Sequence, residues 1–176
     1  EAARREPDVF RTDVLAEFST PEESLLPVDA INFAASLPEE GLPVEPHATY
    51  AAAMDPATRG NGWTLCVGTR VGNERKIVFA KEWVGTRAEP LSPRAVLREI
   101  SAICKRYRVG CIDTDQYMGD ALADLSQETH LLTQQVNLGD KDRTSRYLSL
   151  RTMILEGVVK LPNVERSEEH TSELQS

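Results

Sequence analysis

The sequence predicts a mixed α/β sheet with helices packed on it, and three observations carry that prediction. Three apolar runs of strand length follow one another with only turns between them, over Thr49 to Met54, Thr64 to Thr69 and Lys76 to Val84. After them, helical and strand-like patterns alternate to the end of the interpretable sequence, the order of a layered α/β domain. Two of the strand-like runs also stop on acidic residues, at Asp55 and at Asp113-Thr114-Asp115.

The chain has 176 residues, of which 40% are hydrophobic, enough to fill one core with extensions. No apolar run approaches the roughly 20 residues that span a bilayer. The opening EAARREPD has no signal-peptide pattern, so the expected compartment is a cytoplasm. Cys66, Cys104 and Cys111 are odd in number, widely spaced and set in apolar runs, which reads as reduced core residues and not as a disulfide or zinc framework. A formal charge of −8 argues against a generally basic nucleic-acid binder but is compatible with a local basic groove. The last eleven residues, Arg166 to Ser176, read as the translation of a sequencing adapter and are set aside from the fold; removing their net −2 leaves −6. On that reading the natural chain is interrupted near Glu165.

Taken in order, Pro7 to Phe18 spaces Val9, Phe10, Val14, Leu15 and Phe18 as a short amphipathic helix. From Ser19 to His47, prolines 21, 27, 38, 43 and 46 mark a connecting region, with one more helical pattern over Val28 to Ala35. Thr49 to Met54 is the first strand. Pro56 and Gly60-Asn61-Gly62 supply the turn after it, and Val71-Gly72-Asn73-Glu74 closes a hairpin between the next two strands. Ser92-Pro93 is an N-cap with a first-turn proline, and Val96, Leu97, Ile100, Ile103, Cys104 and Tyr107 lie on one face of the helix that follows. Val109 to Ile112 is a fourth strand. Met118, Leu122 and Leu125 open a helix, Leu131 to Leu138 is a weaker strand, and Asp140 begins a helix carrying Tyr147, Leu150 and Ile154. Gly157 stops that helix before a last strand in VVKLP.

Three strands, helix, strand, helix, strand, helix, strand is the ribonuclease H-like order. In such a sheet the first and fourth strands can be neighbours, which brings Asp55 together with Asp113 or Asp115 at one edge. Taken alone, Asp55 could simply cap the turn before Pro56, since aspartate is common there for local hydrogen-bonding reasons. Two convergent carboxylates raise one another's pKa unless a cation neutralises them, so the pair points to a divalent metal with oxygen ligands. Alternation along a strand sends Asp113 and Asp115 to the same face, and either could reach the ion.

Over most of Val9 to Asn163 the chain resembles the C-terminal nuclease domain of the large terminase subunit of tailed bacteriophages. MDPATRGNGWTL is similar to that family's first acidic motif, CIDTDQYMGDALADL to its second, and KDRTSRYLSLRTMILEGVVKLPN to the basic helix and short strand that follow. The resemblance implies Asp55 as the first metal-binding acid. It favours Asp115 over Asp113 as the second, because Asp115, Tyr117 and Leu122 fit the frame of acid, aromatic and leucine; Asp113 stays the alternative. Asp120 and Asp124 are read as solvated helix residues. The family's third acid lies further on and has no match here, so the fragment itself is expected to be a poor nuclease.

The same resemblance implies residues 1–47 as the end of an ATPase region and its link, and 48–165 as the nuclease domain. ATP would belong only to that ATPase half, since no GxxxxGK[ST] loop is present. The implied activity is endonucleolytic cutting of concatemeric viral DNA by two Mg²⁺ or Mn²⁺ ions roughly 4 Å apart. Lys141, Arg143, Arg146 and Arg151 are candidates for contacts to the DNA backbone, weighed against a plainly solvated helix face. Double-stranded viral DNA, the portal protein and the small terminase subunit are the implied partners, in the bacterial host cytoplasm and transiently at the procapsid portal, with no membrane. Two other readings stand beside this one: a resolvase- or transposase-type ribonuclease H-like nuclease, and a non-catalytic docking module whose acids are only caps.

Overall fold

The computed structural model describes residues 26–58, 62–115, 119–137 and 139–164. The helix expected over Pro7 to Phe18, the segment Arg166 to Ser176, Tyr117, and the side chains of Asp120 and Asp140 lie outside the described residues.

Seven strands and four helices are found among the described residues. They are α1 (Val28–Ala34), β1 (Ala35–Leu37), β2 (Tyr50–Asp55), β3 (Gly62–Val71), β4 (Glu74–Val84), α2 (Pro93–Arg106), β5 (Cys111–Thr114), α3 (Gly119–Glu128), β6 (Leu132–Gln135), α4 (Asp140–Leu155) and β7 (Val159–Pro162). The strands form one sheet in the order β1-β7-β4-β3-β2-β5-β6. β2, β3 and β4 are an antiparallel meander, and β5 and β6 extend it in parallel from β2. This is the mixed, ribonuclease H-like sheet that the element order predicts, with the first and fourth expected strands as neighbours.

Local chemistry accounts for the boundaries. The β3–β4 hairpin turns through Gly72 at φ 60°, a conformation glycine adopts without steric cost, and the ladder runs right up to the Val71–Glu74 pair. Both strands are therefore longer than their apolar stretches. Ser92 Oγ accepts from Ala95 N at 3.4 Å and Pro93 occupies the first turn of α2, as the Ser-Pro pair predicts. That helix ends with Arg108 at φ 58° while Val109 N donates to Cys104 O. This left-handed cap claims Val109 and Gly110, so β5 begins two residues later than the apolar run, at Cys111. α4 closes on Gly157 at φ 70°, with Val158 N donating to Met153 O and the Phe33 ring packed where a side chain would otherwise project.

α2 covers one face of the sheet. Val96, Leu97, Ile100, Cys104 and Tyr107 meet Tyr50, Ala52, Met54, Leu65, Val67, Val78 and Ile112, a single buried core. Glu99 pins the same helix to β4, accepting from Lys81 Nζ at 2.7 Å and Trp83 Nε1 at 2.9 Å. Ser101 Oγ donates to Thr129 O at 2.9 Å and fixes α2 against the end of α3. Cys104 is buried as expected, whereas Cys66 and Cys111 are exposed on the other face of the sheet and all three are free.

The proline-rich stretch before Thr49 does more than connect. The helix expected there is present as α1, and β1, which no pattern announces, pairs in parallel with β7 at the sheet's edge. Further on, Leu42 N donates to Val78 O, Tyr107 Oη donates to Leu42 O, and Arg108 donates to the carbonyls of Glu45 and Pro46. These bonds hold residues 42–46 against the sheet and α2.

Candidate active site

The site is built on the sheet face that α2 does not cover. Along β2 the side chains alternate, with Tyr50, Ala52 and Met54 buried and Ala51, Ala53 and Asp55 exposed. β5 repeats the pattern, burying Ile112 and Thr114 and exposing Cys111 and Asp113. The two strands are parallel, with Ala53 opposite Asp113 and Met54 opposite Thr114. One further step in that register brings Asp115, just past the end of β5, level with Asp55 at the end of β2.

These two carboxylates enter a cleft of about 600 Å³ lined by Ala53, Asp55, Asp115, Val136, Asn137, Arg143, Arg146, Tyr147 and Leu150. The sheet supplies the floor and α4 the wall. Arg143, Arg146, Tyr147 and Leu150 stand at i, i+3, i+4 and i+7, one stripe of the helix. The last turns of α4 hold it in place, Ile154 being buried with Ala34 and Val159 and Met153 packed beside them. The helix is exposed from Lys141 to Leu150, so its basic stripe overhangs the cleft without being absorbed into a core.

Electrostatics single out Asp55. Partial burial lifts its carboxyl above the ordinary carboxylate value, and the negative charge of Asp115 lifts it further. Neither Arg143 nor Arg146 forms an ion pair with another described residue, so the cleft holds two acids on its floor and two cations on its wall.

The sequence-derived candidates separate as follows. Asp55 and Asp115 meet in the cleft, and Arg143 and Arg146 face it. Asp113 points to the same side of the sheet but lies one pair further back, level with Ala53, and is not in the lining. Lys141 lies on a different side of α4, lining a second groove with Thr144, Ser145, Leu148, Ser149 and Thr152. Arg151 is half-buried and also lies outside the cleft lining. Sequence reasoning misses Val136, Asn137, Tyr147 and Leu150 as cleft residues. Hydropathy assigns Tyr147 and Leu150 to the apolar side of a helix, where they read as core; they are 56% and 41% exposed. The 143/146/147/150 spacing is the signal that links them to the arginines.

No protein-family model matches the sequence, and no curated protein matches it. Solved structures do. The large terminase nuclease from thermophilic phage G20c aligns with a TM-score of 0.64 over 77% of this chain and 74% of that one, at 14% identity. The fold is that of the phage large-terminase nucleases. The nuclease domain of the Thermus phage P74-26 large terminase gives 0.60 at 14% identity, covering 77% of this chain and 70% of its own. The bacteriophage HK97 large terminase gives 0.62 at 15% identity, and 92% of this chain covers 39% of that longer one. The G20c nuclease has also been solved with magnesium, cobalt and zinc bound.

The residues of the cleft fit a divalent cation. Carboxylate oxygens are the donors hard ions take, and a carboxyl whose pKa is raised by its neighbour is one whose charge an ion would compensate. Among the described residues no third histidine, cysteine, aspartate or glutamate joins the pair to form a three-ligand cluster.

Proposed function

We propose that this chain is the nuclease part of a phage DNA-packaging terminase and that it hydrolyses DNA phosphodiester bonds with divalent cations, magnesium or manganese, held by Asp55 and Asp115. The observation that carries the proposal is the convergence of those two acids in one cleft, opposite Arg143 and Arg146, on a terminase-nuclease fold.

A cation bound there supplies Lewis-acid stabilisation of the charge that builds on the phosphoryl oxygens. The chain's own groups do the rest. Asp55 and Asp115 fix the ion at the rim of a rigid sheet, where backbone pairing of β2 with β5 sets their separation. Arg143 and Arg146 neutralise backbone phosphates and hold the strand in register over the acids. Histidine, cysteine and serine are absent from the described lining, which suits a reaction whose attacking group is water and not a side chain. The substrate in this reading is viral DNA, cut endonucleolytically, with the portal and small terminase subunit as partners in the infected host's cytoplasm.

The test is nicking of supercoiled plasmid with Mn²⁺ by the full-length protein. The proposal expects nicking that Asp55→Asn and Asp115→Asn each reduce by about a hundredfold or more, of the order seen when a group that stabilises transition-state charge is removed. Undiminished nicking by both variants would move the chemistry elsewhere.

A further inference from the structure

Metal ligation and phosphate neutralisation leave the one aromatic residue of the described cleft lining unused. Tyr147 is 56% exposed, yet it lines the cleft beside Arg143, Arg146 and Leu150. Resting on the nuclease reading above, we propose that the cleft seats a single unpaired DNA strand, with Tyr147 as the platform on which a nucleobase stacks next to the phosphate held over Asp55 and Asp115.

A double helix offers a protein its phosphates and the edges of its base pairs, while the ring faces are hidden in the stack. A site for duplex backbone alone needs cations and hydrogen-bond donors. This lining instead sets its two arginines beside Tyr147 and Leu150, with Ala53 and Val136 in the same cleft. Apolar surface of that kind gains nothing from a phosphate and much from the flat face of a base.

Helix geometry gives the pattern a direction. Arg143 and Tyr147 are four residues apart, as are Arg146 and Leu150, so along one side of α4 the two arginines come first and the ring and the leucine follow. A strand running along that side meets two charges for its phosphates and then a ring for a base, the pairing by which proteins hold single strands. Size agrees. At about 600 Å³ the cleft falls in the range of small-molecule sites, the scale of one or two nucleotides. A small floor residue, Ala53, lets the strand settle close to the acids.

The consequence is a substrate preference: frayed, gapped or locally melted DNA binds in the cleft, and a fully paired segment binds only by its outer phosphates. Binding is measured on the 176-residue chain in EDTA, where no cleavage occurs, with a fluorescently labelled 12-nucleotide single strand and a blunt hairpin of the same sequence. A second single strand carries 2-aminopurine, whose emission is quenched when it stacks. The proposal expects the single strand to bind at least tenfold more tightly than the hairpin and its 2-aminopurine to be quenched. Tyr147→Ala should weaken single-strand binding by roughly five- to 150-fold, the cost of removing one base–aromatic stack. It should also remove the quench, while Tyr147→Phe keeps both. Equal affinity for the two DNAs, or a Tyr147→Ala chain that binds and quenches like the parent, would overturn the single-strand proposal and leave the nuclease reading intact. Normal, Tyr147-dependent strand binding together with no Mn²⁺-dependent nicking by the full-length protein would place the failure on the nuclease reading instead.

Discussion

Asp115 and Asp55 each follow directly on the paired residues Thr114 and Met54 of the parallel β2–β5 ladder, and the charge of Asp115 adds to partial burial in raising the Asp55 carboxyl above its ordinary value of 3.8. A carboxyl raised in the fold binds its proton more tightly folded than unfolded. Stability is therefore lost as the pH climbs through 3.8 towards the raised value, and the whole penalty is present above it. Asp55→Asn should unfold at a higher temperature than the parent at pH 7.5 in EDTA, with the difference closing below pH 3.8. Thermal melts at the two pH values check this, and a variant less stable than the parent at pH 7.5 would mean the two charges are already compensated.

Asp113 and Asp115 should differ sharply in function although they share a sheet face. Register puts Asp113 opposite Ala53 and outside the cleft lining. Asp113→Asn should keep nicking within about tenfold of the parent, against the roughly hundredfold or greater drop expected for Asp115→Asn. Plasmid assays on the two variants side by side decide it, and the reverse ranking would reassign the second acid.

Much of this arrangement can be read in the sequence, for reasons that also explain what cannot. Apolar runs and turn residues announce β2, β3, β4 and α2, because burial and the turn at Gly72 are local constraints. The acids are legible because each ends a strand. Choosing between Asp113 and Asp115 is a matter of register, which depends on partner residues sixty positions away in the chain, as Ala53 is from Asp113. β1 has no pattern of its own; its three residues become a strand only because β7 offers them an edge. Arg108 occupies a left-handed cap usually taken by glycine, so nothing local shows that the helix cap reaches Val109. On α4, neither charge nor hydropathy tells which basic residues face the cleft, since that depends on how Ile154 seats the helix.

The two sides of α4 should separate in DNA binding. Arg143→Ala with Arg146→Ala should weaken binding and flatten the salt dependence of log K by ~0.7–0.9 for each phosphate no longer neutralised. Lys141→Ala, on another side of the helix, should change the slope little. Anisotropy titrations between 50 and 200 mM salt, roughly the range over which such charges are screened, give both slopes. Equal slopes for all three proteins would return the arginines to the role of a solvated helix face.

Glu99 gives a pH dependence of opposite sign to Asp55, away from the cleft. Hydrogen bonds from Lys81 and Trp83 hold its carboxyl below the ordinary value of 4.5. Its stabilisation is thus present above pH 4.5 and disappears as the pH falls through the lowered value. Because the Lys81–Glu99 pair is half exposed, replacing Glu99 with Gln should cost only ~0.5 kcal/mol at pH 7 and nothing once the carboxyl is protonated. Chemical denaturation at pH 7 and pH 3 measures the difference, and a cost that persists unchanged at pH 3 would show that packing, not charge, sets it.

Calorimetric titration of Mn²⁺ into the chain at pH 7.5 tests whether Asp55 and Asp115 together hold a divalent cation. A saturable site is expected in the parent, lost in both Asp55→Asn and Asp115→Asn and kept in Asp113→Asn. Saturable binding that is the same in the parent and in both of those variants, or no saturable binding in the parent, would contradict it.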